Sequence, residues 1–154
     1  MARAKRLAKH IERTITGPMW HGPALAQVLE SVTHEQAAQR PIRSAHTIWE
    51  IVLHVAAWAE IARARLHGQR TGDPTADEDW PPVGATNLDD WRVAVERLGV
   101  SHRLLADDAR ELSDEALDGP VRGADYSVDV LLHGVVEHGT YHGGQIMMVR
   151  KALE

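Results

Sequence analysis

From end to end this chain repeats its apolar residues at steps of three and four, and nowhere does a run of four or more residues alternate convincingly between apolar and polar. That spacing lines one side of an α-helix, whereas a half-buried strand needs a period of two. The sequence therefore predicts an all-α fold with no sheet. In the first segment Ala4, Leu7, Ala8, Ile11 and Ile15 fall on one face, ringed by Arg3, Lys5, Arg6, Lys9 and Arg13. Residues 1–16 read as a basic amphipathic helix packed on the domain, because a stripe this short and rich in alanine is too weak to hold a membrane surface alone. Gly17-Pro18 ends it. A second helical segment covers Pro23 to Ser31, and the capping-box pattern from Thr33 to Gln36 starts a short helix that stops before Pro41.

The next helix runs from about Ser44 to His67, with Ile48, Ile51, Val52, Val55, Trp58, Ala59, Ala62 and Leu66 as its core stripe and Gly68 as its stop. A polar connection follows, Gln69 to Thr86. It is too long for a tight helical hairpin, so the helices it joins need not be antiparallel neighbours. Its acidic run, Asp77 to Asp79, lacks the spacing of a calcium loop and reads as solvated. Asn87 caps a helix reaching about Leu112, with Trp91, Val95, Leu98, His102 and Leu105 inward. Ser113 to Leu117 is a short turn, and Ser127 caps a last helix that reaches the C-terminus. Four principal helices and one long crossover predict an all-α bundle, and 154 residues make one domain, 1–154.

Composition narrows the chemistry. The chain has ten histidines, five tryptophans, and neither phenylalanine nor cysteine. Without cysteine there is no disulfide framework, thiolate zinc finger, iron–sulfur site or cysteine nucleophile. A formal charge of −5 argues against a partner among duplex nucleic acids. No stretch approaches the roughly 20 apolar residues needed to cross a bilayer, and the basic N-terminus lacks the apolar core of a signal peptide, so the default expectation is a cytoplasmic protein without a membrane partner. Any metal must be held by His, Asp or Glu.

The last helix supplies the candidates. Its core face reads Val128, Leu131, Val135, His138, His142, Gln145, Val149, apolar at both ends and polar in the middle. Buried polar groups cost free energy unless they are partnered, and two imidazoles four residues apart lie one above the other, where they can ligate one cation. Gly134, Gly139, Gly143 and Gly144 surround them, each costing about 1 kcal/mol relative to alanine in a helix. Four such residues imply a close approach by a helix, another subunit or a ligand. A third ligand has to come from elsewhere. His54 shares a face with Ile51, Val55 and Trp58, and Glu50, one turn away, is a candidate hydrogen-bond partner that fixes its tautomer. Patterns for ferritin-like di-iron sites, zincin proteases and phosphate loops are absent from the sequence.

The stretches from His46 to Trp58 (HTIWEIVLHVAAW) and from Gly134 to Ile146 (GVVEHGTYHGGQI), with DEDWPP at Asp77 to Pro82, resemble the DinB/YfiT superfamily of bacterial metalloenzymes. The similarity runs from about Trp20 to Leu153. It implies an up-down-down-up four-helix bundle, a single divalent metal, often nickel or zinc, on His54, His138 and His142, and frequent homodimerisation. The sequence departs from the commonest form of the pattern at Gly139, where a polar residue often follows the first of the paired histidines, a change that bears on the pocket. Some members resemble thiol S-transferases that use bacillithiol or mycothiol, and related ones isomerise maleylpyruvate.

Three neutral imidazoles leave a divalent ion at least one open position, as in catalytic sites. Such an ion lowers the pKa of bound water or holds an incoming thiol as thiolate. Three functions are therefore expected in order: a transferase that activates a low-molecular-weight thiol cosubstrate against an electrophilic small molecule, a metal-dependent hydrolase, and a non-catalytic metal-binding stress-response protein. Tyr141 and Gln145 are the further candidates for the pocket.

Overall fold

The computed structural model describes residues 2–154; Met1, the first residue of the expected domain and of its N-terminal helix, lies outside the described residues. Among them there are eight helices and no strand: α1 (Arg3–Thr16), α2 (Leu25–Leu29), α3 (His34–Ala38), α4 (Ile48–Leu66), α5 (Ala76–Asp79), α6 (Leu88–Arg110), α7 (Asp114–Asp118) and α8 (Val128–Lys151). The long helices α1, α4, α6 and α8 form the bundle. None of the helices is long and apolar enough to cross a membrane.

Most of the helix starts are written locally. Thr33, Thr47, Thr75, Asn87, Ser113 and Ser127 each accept the backbone N–H three residues on, satisfying a donor that the first helical turn leaves unpaired. Helix α4 begins at Ile48, the first residue of its apolar stripe and four residues later than the expected start at about Ser44. Thr47 and Glu50 close a reciprocal capping box there: the Thr47 Oγ1 accepts the Glu50 N–H at 3.1 Å, and the Glu50 carboxylate accepts the Thr47 N–H at 2.7 Å. At the end of α1, Gly17 takes φ of 75° and its N–H returns to the Arg13 carbonyl, a left-handed stop that a side chain would strain.

Side-chain pairs set the direction of each helix. Near the start of both α4 and α6, Trp49 meets Trp91 at 5.1 Å between ring centroids; near their ends Arg63 and His67 both reach Asp108, each at 2.6 Å. These two helices are therefore parallel, which is why the connection between them is long. Helix α8 runs against α4, since His54 faces His138 while Arg65 reaches Tyr126, just before α8 begins. It runs alongside α1, where Arg3 meets Asp129 and Thr14 meets Gly139. The order is up-down-down-up, as the resemblance implied.

All five apolar residues expected on the inner face of α1 are buried. Ala4, Leu7, Ala8 and Ile11 form one end of the core with Ala59, Ala62, Leu105, Ala106 and Leu132; Ile15 joins Trp49, Val52, Trp91, Leu98 and Ile146 at the other. Helix α8 buries two faces. Leu131, Val135, His142 and Val149 are on the expected stripe, and Leu132, Gly139 and Ile146 make a second one. A Cβ on Gly139 would stand 2.5 Å from the Thr14 Cγ2, so this glycine exists for the α1–α8 contact. Gly139 thus serves helix packing and does not line the pocket described below. Gly143 lies against Leu25, whereas Gly134 and Gly144 have open space where a side chain would be.

Candidate metal centre

Helices α4 and α8 place three histidines in one cluster: His54, His138 and His142, whose ligand nitrogens all lie within 4.8 Å of one another. The sequence patterning explains their position. Each falls within a helical stripe that is otherwise apolar, and antiparallel packing brings the middle of one helix beside the middle of the other. His54 and His142 are each about 5 % exposed.

The ring nitrogens are sorted by their partners. The Nδ1 of His54 lies 2.6 Å from the Asp79 carbonyl oxygen, and the Nδ1 of His142 lies 2.6 Å from the Gln145 Oε1. Oxygen acceptors of this kind require the hydrogen on Nδ1, which leaves the Nε2 lone pair free on both rings. The Gln145 amide is itself held, its Nε2 donating to the Tyr141 hydroxyl at 2.9 Å. The Nε2 of His138 and the Nε2 of His54 are 2.9 Å apart. Two nitrogens bound to one tetrahedral zinc at 2.0–2.1 Å stand about 3.3 Å apart, so the pair needs to spread by only a few tenths of an ångström. The donor set fits a divalent ion.

Burial keeps these rings neutral. It lowers His54 below the usual imidazole value. Burial, and then the nearness of His142 and His54, push His138 down to about 3. Burial, and then His54, push His142 down to about 4. At neutral pH each ring offers a lone pair, the state in which imidazole binds a metal.

Glu50 does not reach this cluster. Its carboxylate is engaged by the Thr47 N–H and by the Arg40 guanidinium, at 2.7 Å from Nη2. The partner of His54 Nδ1 is instead the Asp79 main chain, 25 residues away in sequence. The physical reason is that Glu50 caps its own helix.

Asp79 and Trp80 come from the polar connection, which is not simply solvated. Thr75 and Glu78 close a capping box that winds Ala76–Asp79 into a helical turn, and Glu78 is clamped by Arg70 at 2.8 Å. The turn delivers three contacts. The Asp79 carbonyl takes His54; the Asp79 Oδ1 accepts the Trp58 Nε1–H at 2.7 Å; and the Trp80 indole stacks on His54 at 3.8 Å with 5° between planes. The opposite face of Trp80 stacks on His46 at 3.6 Å. Trp58, Asp79 and Trp80 are the residues that sequence reasoning left out of the site. The Thr75-to-Glu78 capping box was the one local signal of an ordered turn there.

A cavity of about 380 Å³ opens beside the cluster. His54 and His138 stand at one side, Trp58, Leu131 and Val135 form walls, and Gly134 leaves space on the α8 side. That volume is in the range of small-molecule sites. Asp79 is its one acidic lining residue, and His142, Tyr141 and Gln145 are not among those that line it.

A family model described as the DinB superfamily matches residues 20–146, most of the chain. No curated protein and no solved structure matches it.

Proposed function

We infer a function from one premise: the chain belongs to the DinB superfamily, whose members are associated with metals. The reading is a metal-dependent enzyme in which His54, His138 and His142 hold one divalent ion, zinc or nickel, and in which an external low-molecular-weight thiol is transferred to an electrophilic small molecule. One observation carries it. The three imidazoles lie beside an apolar cavity of about 380 Å³, so the side of the cluster not taken by protein is the side a substrate can reach. Structural zinc sites are closed by four protein ligands; a three-ligand set with an adjoining cavity is the catalytic form.

When bound, a divalent cation here supplies a positive charge that favours the thiolate form of an incoming thiol. The chain's own residues do the rest. Asp79 and Gln145 hold His54 and His142 in the tautomer that presents Nε2. Trp80 covers His54 and keeps water from that face. Trp58, Leu131 and Val135 give an apolar electrophile a dry surface beside the sulfur. In the transfer a sulfur–carbon bond forms, the leaving group departs with its electron pair, and the thiol proton goes to solvent. Since the chain has no cysteine, the sulfur comes from a cosubstrate.

Tyr141 and Gln145 act behind His142 and orient it. The protein is further proposed to be cytoplasmic, and to be dimeric as the family resemblance implies.

Metal analysis of the purified protein tests the premise of the site: one zinc or nickel per chain is expected, lost in His138→Ala and in His142→Ala with helicity intact. A metal-free wild type at neutral pH would overturn the reading. Conjugation of a model electrophile should need both metal and thiol. Product released without thiol would instead indicate the hydrolase, and unfolding on chelation would indicate an ion that only holds helices together.

A further inference from the structure

The cavity beside the histidines is apolar along most of its wall, yet it ends on a buried cation. Arg65 lies three helical turns beyond His54 on α4, and its side chain is only 10 % exposed. Its guanidinium sits over Trp58, 5.8 Å from the ring centroid, and Trp58 in turn is 5.8 Å from the His138 ring. Arg65, Trp58 and His138 all line the same cavity, with the indole between the charge and the cluster.

A buried charge is ordinarily balanced by an opposite one, because desolvation is costly. Arg65 is not balanced in this way. Among the described residues the only carboxylate within 4 Å is Asp73, at 3.9 Å, and that side chain is fully exposed. The one acid lining the cavity, Asp79, accepts from Trp58. The guanidinium donates from Nη1 to the Tyr126 hydroxyl at 2.7 Å and from Nη2 to the Gly72 carbonyl at 2.9 Å, both of them neutral groups. With five N–H donors on a guanidinium, these two bonds leave donor capacity unused. Tyr126 also lines the cavity, and since its oxygen accepts from Arg65, its own hydroxyl hydrogen is free to be donated.

We propose that Arg65 and Tyr126 form an anion subsite at the far end of this cavity, so that the substrate class is a small molecule with an apolar body and a carboxylate-like head. The head meets the guanidinium and the phenol; the body lies along Trp58; the reactive end faces His54 and His138. Arg is suited to the task, since its planar fork pairs with both oxygens of a carboxylate. The proposal names the substrate of the metal site and rests on the reading of that site as an enzyme's. The anion subsite itself involves none of the three histidines, so binding can be measured with the metal present or stripped.

The test uses 4-phenylbutyrate and its primary amide as probes, with calorimetry on zinc-loaded and zinc-stripped full-length protein. In both forms the carboxylate should bind at least about tenfold more tightly than the amide, a difference of about 1.4 kcal/mol. Arg65→Met should abolish that preference and leave amide binding unchanged, Arg65→Lys should restore part of it, and Tyr126→Phe should weaken carboxylate binding alone. A purely structural Arg65 would instead lower thermal stability and affect both probes alike. Equal binding of the two probes by the wild type, or no binding of the carboxylate, overturns the proposal even if Arg65→Met does not fold. A preference that survives Arg65→Met and disappears on zinc removal also overturns it, placing the carboxylate at the histidines and leaving the metal reading intact. A preference that holds in the stripped protein while no thiol transfer is found supports the subsite and counts against the transferase.

Discussion

Replacing Gly139 by alanine probes the contact that sets α1 against α8. Alanine in a helix is worth about 1 kcal/mol more than glycine, so propensity alone predicts a more stable protein. Sterics predict the opposite. The new Cβ would lie 2.5 Å from the Thr14 Cγ2, far inside van der Waals contact. Thr14 cannot turn away freely: it is 2 % exposed, and its Oγ1 donates to the His10 carbonyl at 3.0 Å. Rotating χ1 sacrifices that bond, worth about 1 kcal/mol, and overpacking a tight helix contact costs about 1–3 kcal/mol. The net expectation for Gly139→Ala is a loss of about 1–3 kcal/mol, which lowers Tm by roughly 2–12 °C for a domain of this size. Gly144 is the internal control. It lies on the same helix with nothing within 4 Å of its would-be Cβ, so Gly144→Ala should gain up to about 1 kcal/mol. Thermal and urea unfolding of these two variants, of Thr14→Ala and of the Thr14→Ala/Gly139→Ala double variant would complete the measurement. In the double variant the clash is gone, and the cycle should show a favourable coupling of at least about 0.5 kcal/mol. Additive effects, or a stabilising Gly139→Ala, would refute the claim that close approach selects this glycine.

Gln145→Leu removes the acceptor that fixes the His142 tautomer, so metal affinity measured by chelator competition should fall about 10- to 100-fold while the melting temperature of the metal-free protein changes little. Trp80→Ala uncovers His54 and should speed release of the metal to a chelator several-fold without changing the bound stoichiometry. Acid should destabilise the protein partly through His102, which lies on α6 and is not one of the three clustered histidines. Burial pushes it down to about 4, and its Nε2 has no hydrogen-bond partner. The folded state keeps His102 neutral while the unfolded chain takes up a proton near 6.5, so this contribution is complete above about pH 6.5. It falls by about 1.4 kcal/mol per pH unit as the pH drops towards 4. Urea titrations from pH 7 to 5 should show a shallower slope in His102→Leu; an unchanged slope would remove His102 from the account.

The parts of the site that can be read from the sequence are those carried by helical periodicity. His138 and His142 declare themselves as polar interruptions of an apolar stripe, and His54 does so on α4. The pairing of those two helices then follows once their inner faces are known. What periodicity does not carry is contact across the fold. Asp79 and Trp80 reach His54 from a segment with no repeating pattern, and nothing local indicates which ring they cover. Glu50 was open to either reading, since it is one turn from His54 and also three residues from Thr47. The same capping-box spacing marked Thr33 and Gln36 plainly, and at Thr47 it wins because both bonds of the box form within a single turn. The second buried face of α8, where Leu132, Gly139 and Ile146 recur every seven residues, is hidden because a helix flanked by two neighbours shows no single apolar stripe.

Parallel α4 and α6 oblige the chain to travel back the length of a 19-residue helix, about 28 Å, before α6 can start. Residues 69–86 could cover roughly twice that distance if fully extended. The excess length is what dips inward as the Ala76–Asp79 turn and sets Trp80 on His54. A taut crossover would satisfy the same topology and leave the histidines bare. The helices therefore decide where an ion can sit, and the slack in one strap decides how enclosed it is. Shortening or exchanging that strap would retune access to the centre while every ligand stays in place.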